Sequence, residues 1–254
     1  MTRQIRIFQS IALRRSGGLE FLLLCGVLLG VHPVSAQMVR PVIVEHKGKV
    51  FRGKIELVNN GVVPMSVVVE PKSFQVSQEG QLSFQPLDED LQVKLSSMGT
   101  RIPPRQTQYV FYEARAENLP AWFVIYSTFA LKPPDLGIGV QIQLPHVVYL
   151  NQEEVLQEQD IQLNVPGFDS RAGKLSMVVQ NSGPRLGRLQ EVTLSNDKEK
   201  KVYGGFPMFP EYERHIDLPW KPEQPPTKIV LRFEKFRVEQ AVPQALLAQS
   251  NEQE

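Results

Sequence analysis

The sequence predicts an all-β protein made of two β-sandwiches in tandem, and three observations lead there. Apolar and polar residues alternate in short runs along the chain, as at Val140, Ile142 and Leu144 of "GVQIQLPHVVYL". Successive side chains of a strand point to opposite faces, so such alternation marks half-buried strands. Turn residues separate the runs: Asn59, Asn60 and Gly61, then Pro103-Pro104, then Pro133-Pro134. Prolines of this kind belong between strands or at sheet edges. Long helical periodicity is absent from the first half of the chain.

The chain opens on a segment that reads as an export signal and stands outside the fold. Arg3, Arg6, Arg14 and Arg15 make a basic start, an apolar run covers residues 21–31, and Val34, Ser35 and Ala36 offer small residues before Gln37. The run is shorter than the ~20 apolar residues that a spanning helix needs. The expectation is a signal peptide over 1–36, cleaved near Ala36–Gln37, with export to the periplasm and no stable membrane insertion. An uncleaved N-terminal anchor is the alternative. Cleavage removes four of the 28 Lys and Arg and one of the 27 Asp and Glu, leaving a formal net charge of −2. No strong field is left to attract nucleic acid or an anionic surface. Cys25, the single cysteine, goes with the segment. Disulfides and cysteine-based zinc or redox sites are thereby excluded from the mature chain.

From Val50 the strands follow in order. "KVFRGKIELVNNG" carries one into the Asn-Asn-Gly turn; "VPMSVVVEPKSFQV" and "GQLSFQP" come next; "QTQYVFYEARA", "AWFVIYSTFAL" and "GVQIQLPHVVYL" follow. Six or seven short strands in roughly 110 residues fit a sandwich of immunoglobulin type. The polar, acidic stretch "NQEEVLQEQD" at 151–160 reads as a domain boundary. Beyond it "IQLNV", "GKLSMVVQNSG", "RLGRLQEVTLS", "KKVYGG", "ERHIDLPW" and "TKIVLRFEKFRVEQ" suggest a second, smaller sandwich, the last read as one strand. The expected domains are 37–151 and 160–239, with 240–254 as a tail of no assigned function.

The order of these pieces resembles the periplasmic pilus-assembly chaperones of the chaperone–usher pathway. "IELVNNGVVPMSVVVEP" is similar to the family's first-domain B–C hairpin. "RIPPRQTQYVFYEARAENLPAWFVIYSTFALKPP" is similar to its run of proline, polar strand, Leu-Pro, aromatic strand and Pro-Pro, and "VQIQLPHVVYL" to its G strand. In the second half "LSMVVQNSGPRLGRLQEVTL" and "FPMFPEYERHIDLPW" resemble the corresponding hairpin and late turn. The resemblance implies a chaperone with pilus-type subunits and an outer-membrane usher as partners, and with no cofactor. It also implies that the G strand completes a client sandwich lacking its last strand, a form of β-augmentation. Val140, Ile142 and Leu144 fall on the positions that fill the client's groove. Taken alone, V-x-I-x-L is far more often an ordinary half-buried strand facing its own core.

The family also anchors the client's C-terminal carboxylate with an Arg early in the first domain and a Lys just past the donor alternation. Here the Lys position falls on or beside Pro145 and His146, and "QLPHVVYL" holds no Lys. Arg40 and Arg52 both lie near the Arg position. Arg40 and His146 are therefore the candidates for a carboxylate anchor, with a surface or packing role the alternative for His146, since neutral imidazole is a poor anion partner.

Catalytic constellations are missing from the sequence, and an enzyme is not expected. His46, His146 and His215 have no metal-ligand spacing, and Ser195 has no Gly-x-Ser-x-Gly elbow around it. Asp88, Glu89 and Asp90 read as a solvated loop. A secreted structural or adhesive immunoglobulin-like module is the competing function.

Overall fold

Alternation becomes structure by letting each strand bury one face, and the computed structural model shows two sandwiches built this way. It describes residues 37–131, 139–169, 171–221 and 223–242. The expected signal segment, the Pro133-Pro134 turn and the tail from residue 243 lie outside the described residues. Those from Gln37 onward belong to one compact unit.

The first sandwich has two sheets. One runs β1 (Met38–Arg40), β3 (Val50–Asn59), β8 (Gln106–Ala116) and β6 (Leu91–Leu95) in spatial order. The other runs β2 (Ile43–Lys47), β10 (Val140–Asn151), β9 (Ala121–Leu131), β4 (Met65–Val76) and β5 (Leu82–Gln85), with β7 (Gly99–Ile102) also on β4. The N-terminal segment thus changes sheets between β1 and β2, at Pro41, which follows a cis peptide bond. Ile55, Leu57, Phe123, Ile125, Phe129 and Leu150 are among the side chains buried between the sheets.

The second sandwich packs β11 (Ile161–Asp169), β12 (Lys174–Asn181) and β15 (Tyr212–Pro219) against β14 (Lys200–Met208), β13 (Gly187–Ser195), β16 (Lys228–Arg232) and β17 (Arg237–Ala241). Its core includes Leu175, Met177, Leu189, Leu194 and Met208, and takes in Leu156 and Val242, which lie outside the expected 160–239 span. The stretch read as one strand from Thr227 is a hairpin. Phe233 N–H donates to Phe236 O across the turn at 3.0 Å, and the two rings stack with centroids 4.5 Å apart. Alternation continues on both sides of this tight turn but changes phase across it, from Ile229, Leu231 and Phe233 to Phe236 and Val238. The short strands β1, β2 and β7 carry too little alternation to be read from sequence, whereas β6, LQVKL, alternates throughout and was overlooked. Among the described residues the helical structure is a single 3-10 turn at Glu158–Asp160.

One device holds the same turn in both sandwiches. Asn59 is buried, and its Nδ2 donates to the carbonyls of Val63 (2.8 Å), Ile102 (3.0 Å) and Pro103 (3.1 Å), while Oδ1 accepts from Gly61 N–H. Asn181 repeats the pattern with Arg185 O (2.7 Å), Phe209 O (2.9 Å) and Gly183 N–H. Buried carbonyls need a donor, and one amide supplies several at the point where the chain leaves the sheet.

The sandwiches meet through Phe74, Val124 and Tyr149 of the first against Leu186 and Phe209 of the second. The β4–β5 turn reaches across this contact: Gln78 O accepts from His215 N–H at 2.9 Å, and Ser77 O accepts from the Tyr212 hydroxyl and from Arg214 Nη1. On the other flank Arg188 Nε pairs with Glu45 at 2.6 Å and lies over the Tyr149 ring.

Replacing Asn181 by Ala strands at least two buried carbonyls. Each such group costs about 1–3 kcal/mol, so the variant is expected to lose about 2–4 kcal/mol in denaturant unfolding. A loss below about 0.5 kcal/mol, the range of ordinary surface changes, would show that water replaces the amide.

Candidate functional site

β10 has unequal neighbours. It pairs antiparallel with β9 along its length, from Val140 opposite Leu131 to Leu150 opposite Ala121. On its other side β2 runs parallel to it, and only from Val147 opposite Ile43 to Asn151 opposite Lys47. Residues 140–146 therefore have no strand on that side among the described residues.

The side chains follow the same division. Even-numbered residues of β10 point to the core face: His146, Val148 and Leu150 are buried, and Leu144 is half-buried against the core. Ile142 and Val140 lie on that same face but past the end of the core, at 36% and 46% exposed. One strand thus serves its own core at its C-terminal half and leaves its N-terminal half unfilled. The backbone alternates too. Val147 N–H donates to Val42 O at 2.8 Å, so odd-numbered residues of β10 aim their backbone groups toward the β2 side. The register with β9 is unbroken, so the groups of Gln141 and Gln143 are aimed at the open side.

His146 lies where this open stretch ends. Its Nδ1 contacts Pro41 O at 2.6 Å and its Nε2 contacts the Tyr112 hydroxyl at 2.9 Å. A carbonyl only accepts, so Nδ1 carries the proton; Nε2 is then the acceptor and Tyr112 donates to it. Burial pushes the Tyr112 phenol upward, so it keeps its proton. The ring of Tyr112 passes under Gly53, where a Cβ would stand 2.5 Å from its hydroxyl. Both imidazole nitrogens are thus occupied inside the sandwich. The expected anchor role of His146 does not fit this arrangement, and its packing role does.

Arg40 is exposed at the end of β1, one residue before Pro41, whose carbonyl accepts from His146 Nδ1–H. Arg52 points away on the outer face of the other sheet, paired with Glu113 at 2.7 Å. The structure therefore brings Arg40 alone of the two near the open end of β10. Sequence reading missed the Tyr112–His146–Pro41 chain, which joins residues up to 105 positions apart. It also missed the Arg188–Glu45 pair, at the edge of a cleft of about 330 Å³ between the sandwiches. Neither has a local signal. Asp88 sits in a turn, accepting from Gln85 Nε2 at 2.8 Å and donating its N–H to Ser73 Oγ. No group of three or more His, Cys, Asp or Glu that could hold a metal occurs among the described residues. No helix among them is long and apolar enough to cross a membrane.

No protein-family model and no curated protein sequence matches this chain. Solved structures do. The YadV chaperone superposes with a TM-score of 0.51 at 12% identity, over 81% of this chain and 99% of its own. The class 5 fimbriae chaperone CfaA gives 0.49 at 13% identity, over 82% and 100%. A structure of Salmonella enterica SafA pilin in complex with the SafB chaperone gives 0.48 at 12% identity, over 83% and 98%. The chain has the pilus-chaperone fold, two immunoglobulin-like sandwiches in tandem.

The buried histidine sets a pH dependence. Burial pushes His146 below its ordinary 6.5, against the opposing effect of the Pro41 carbonyl. Above pH 6.5 the ring is neutral in the folded and unfolded chain alike. Below it the unfolded chain binds the proton first, so stability falls as pH drops from 6.5 toward the lowered folded value. Thermal melts at about pH 7.5 and about pH 5 should show a larger acid loss in the wild type than in His146→Gln. Equal losses would show that the ring accepts its proton without breaking the chain of bonds.

Proposed function

We propose that this protein is a periplasmic chaperone of the chaperone–usher type. It captures pilus-type subunits by lending them the N-terminal half of β10 and hands them on to an outer-membrane usher. The observation that carries the reading is the open half-strand: Ile142 and Val140 exposed on a core face, beside a backbone edge that no described strand of the chain covers. An edge of this kind, left in the open, is a template for pairing. A client lacking its last strand supplies the matching groove, so backbone rungs give affinity and alternate side chains give fit. Burying an apolar side chain the size of Val140 or Ile142 contributes about 1.5–3 kcal/mol. Arg40 stands as the cation for a client carboxylate.

The domain limits 37–151 and 160–239 and export through a signal peptide over 1–36 belong to the same reading. The competing reading, a secreted adhesive or structural module, draws on the internal bonding of His146, which leaves the family's second cation without a counterpart on that strand.

Ile142→Asp separates the readings. Its side chain meets a partner only in the complex, so the melting temperature should stay within about 2 °C of wild type. Co-purification of a subunit should be lost, because a carboxylate would sit unpaired in an apolar groove. Val148→Asp, on the same face but within the core, should instead unfold the first sandwich, with a loss on the order of 4 kcal/mol. Unfolding of the Ile142→Asp variant as well would show that the whole strand serves its own core.

A further inference from the structure

We infer that Pro145 is the boundary residue of this edge, ending the chain's own ladder on one side and limiting a captured strand on the other. The inference rests on the donor-strand reading above. Val147 is the first residue of β10 whose backbone bonds to the N-terminal segment, through its N–H to Val42 O. In this parallel ladder the odd residues of β10 bond to the even residues of the N-terminal segment, so continuing it back takes Val42 N–H to the carbonyl of residue 145 and then the N–H of residue 145 to Arg40 O. Proline has none. The register, extended from Ile43 opposite Val147, places Pro41 opposite Pro145 with its backbone groups turned away from β10, so the rung that proline removes is the one from residue 145 to Arg40 O. The N-terminal segment leaves β10 there and crosses to the other sheet as β1.

On the β9 side the same proline costs nothing. Its position is one whose backbone groups face away from β9, and the β9 register runs through Pro145 opposite Tyr126 without a shift. A strand added along residues 140–145 therefore finds donors and acceptors at Gln141 and Gln143, and an acceptor alone at Pro145. Pro145 thus withholds a rung from the chain's own N-terminal segment and fixes where a client's pairing stops.

Neighbouring proline substitutions test the edge assignment without any client. Gln143→Pro removes an N–H from the open side, so its melting temperature should stay within about 2 °C of wild type. Ile142→Pro removes one that β9 uses and should melt much lower. Equal destabilisation by the two overturns the assignment. Strand capture is then read by NMR amide exchange on the full mature chain, with an acetylated peptide of about ten alternating Val and Thr residues, long enough to cover the edge. The peptide should protect the Gln141 and Gln143 amides. Pro145→Ala adds one rung, so the peptide should bind about three- to tenfold tighter and protect the amide gained at position 145 as well; Gln143→Pro should weaken it by a similar factor. Protection at Gln141 and Gln143 with no change in Pro145→Ala overturns the boundary role and leaves the donor strand standing. No protection at Gln141 and Gln143 overturns both.

Discussion

Backbone pairing along β10 is the constraint on which the rest of this molecule depends. A strand has two edges, and each of its N–H and C=O groups must find a partner or face water. β9 covers one edge of β10 over its length, while β2 covers the other only from Val147. The asymmetry is made locally. Pro145 supplies no N–H to carry the ladder on to Arg40, the N-terminal segment changes sheets at Pro41, and His146 ties Pro41 O to Tyr112 in the interior. The result is a strand held along one side and, among the described residues, open over its N-terminal half on the other. An edge that must accept a partner without reorganising gains from such preorganisation.

The second sandwich adds a platform that fixes how the first is presented. Its contact is aromatic, with Phe209 meeting Phe74, Trp122 and Tyr149, and it is flanked by directional bonds. The β4–β5 turn is gripped by Tyr212, Arg214 and His215 on one side, and Glu45 by Arg188 on the other. Glu45 belongs to β2, the strand that stops short along β10, so the junction and the open edge share an element. Gly80, at a φ of +81°, lies so close to the Arg214 guanidinium that a Cβ would overlap it. The grip on this turn therefore depends on glycine twice, for conformation and for space.

Alternation was strong enough in the long strands for both sandwiches to be legible in the sequence. The turns at Asn59 and Asn181 were legible as turns, though their three-way carbonyl capping was not, because the partners come from distant strands. The hairpin at Phe233 and Phe236 was missed although the apolar positions shift there from odd, at Ile229, Leu231 and Phe233, to even, at Phe236 and Val238. For the site, the residues Val140, Ile142 and Leu144 were visible as one face, and their different surroundings were not. Periodicity reports which side chains share a face. It says nothing of where the core beneath that face ends.

The sequence by itself determined the all-β class, the two-sandwich order, the absence of cysteine after Cys25, and which residues of β10 point the same way. All of these follow from local rules of side-chain alternation, turn chemistry and composition. Only the tertiary structure decided that His146 is an internal link, that Arg52 faces away from the open edge, and that β2 stops at Val147. Those outcomes depend on which strands lie beside one another and for how many rungs. Hydrogen-bond partners across a sheet are set by register between distant segments, and no local pattern carries that information.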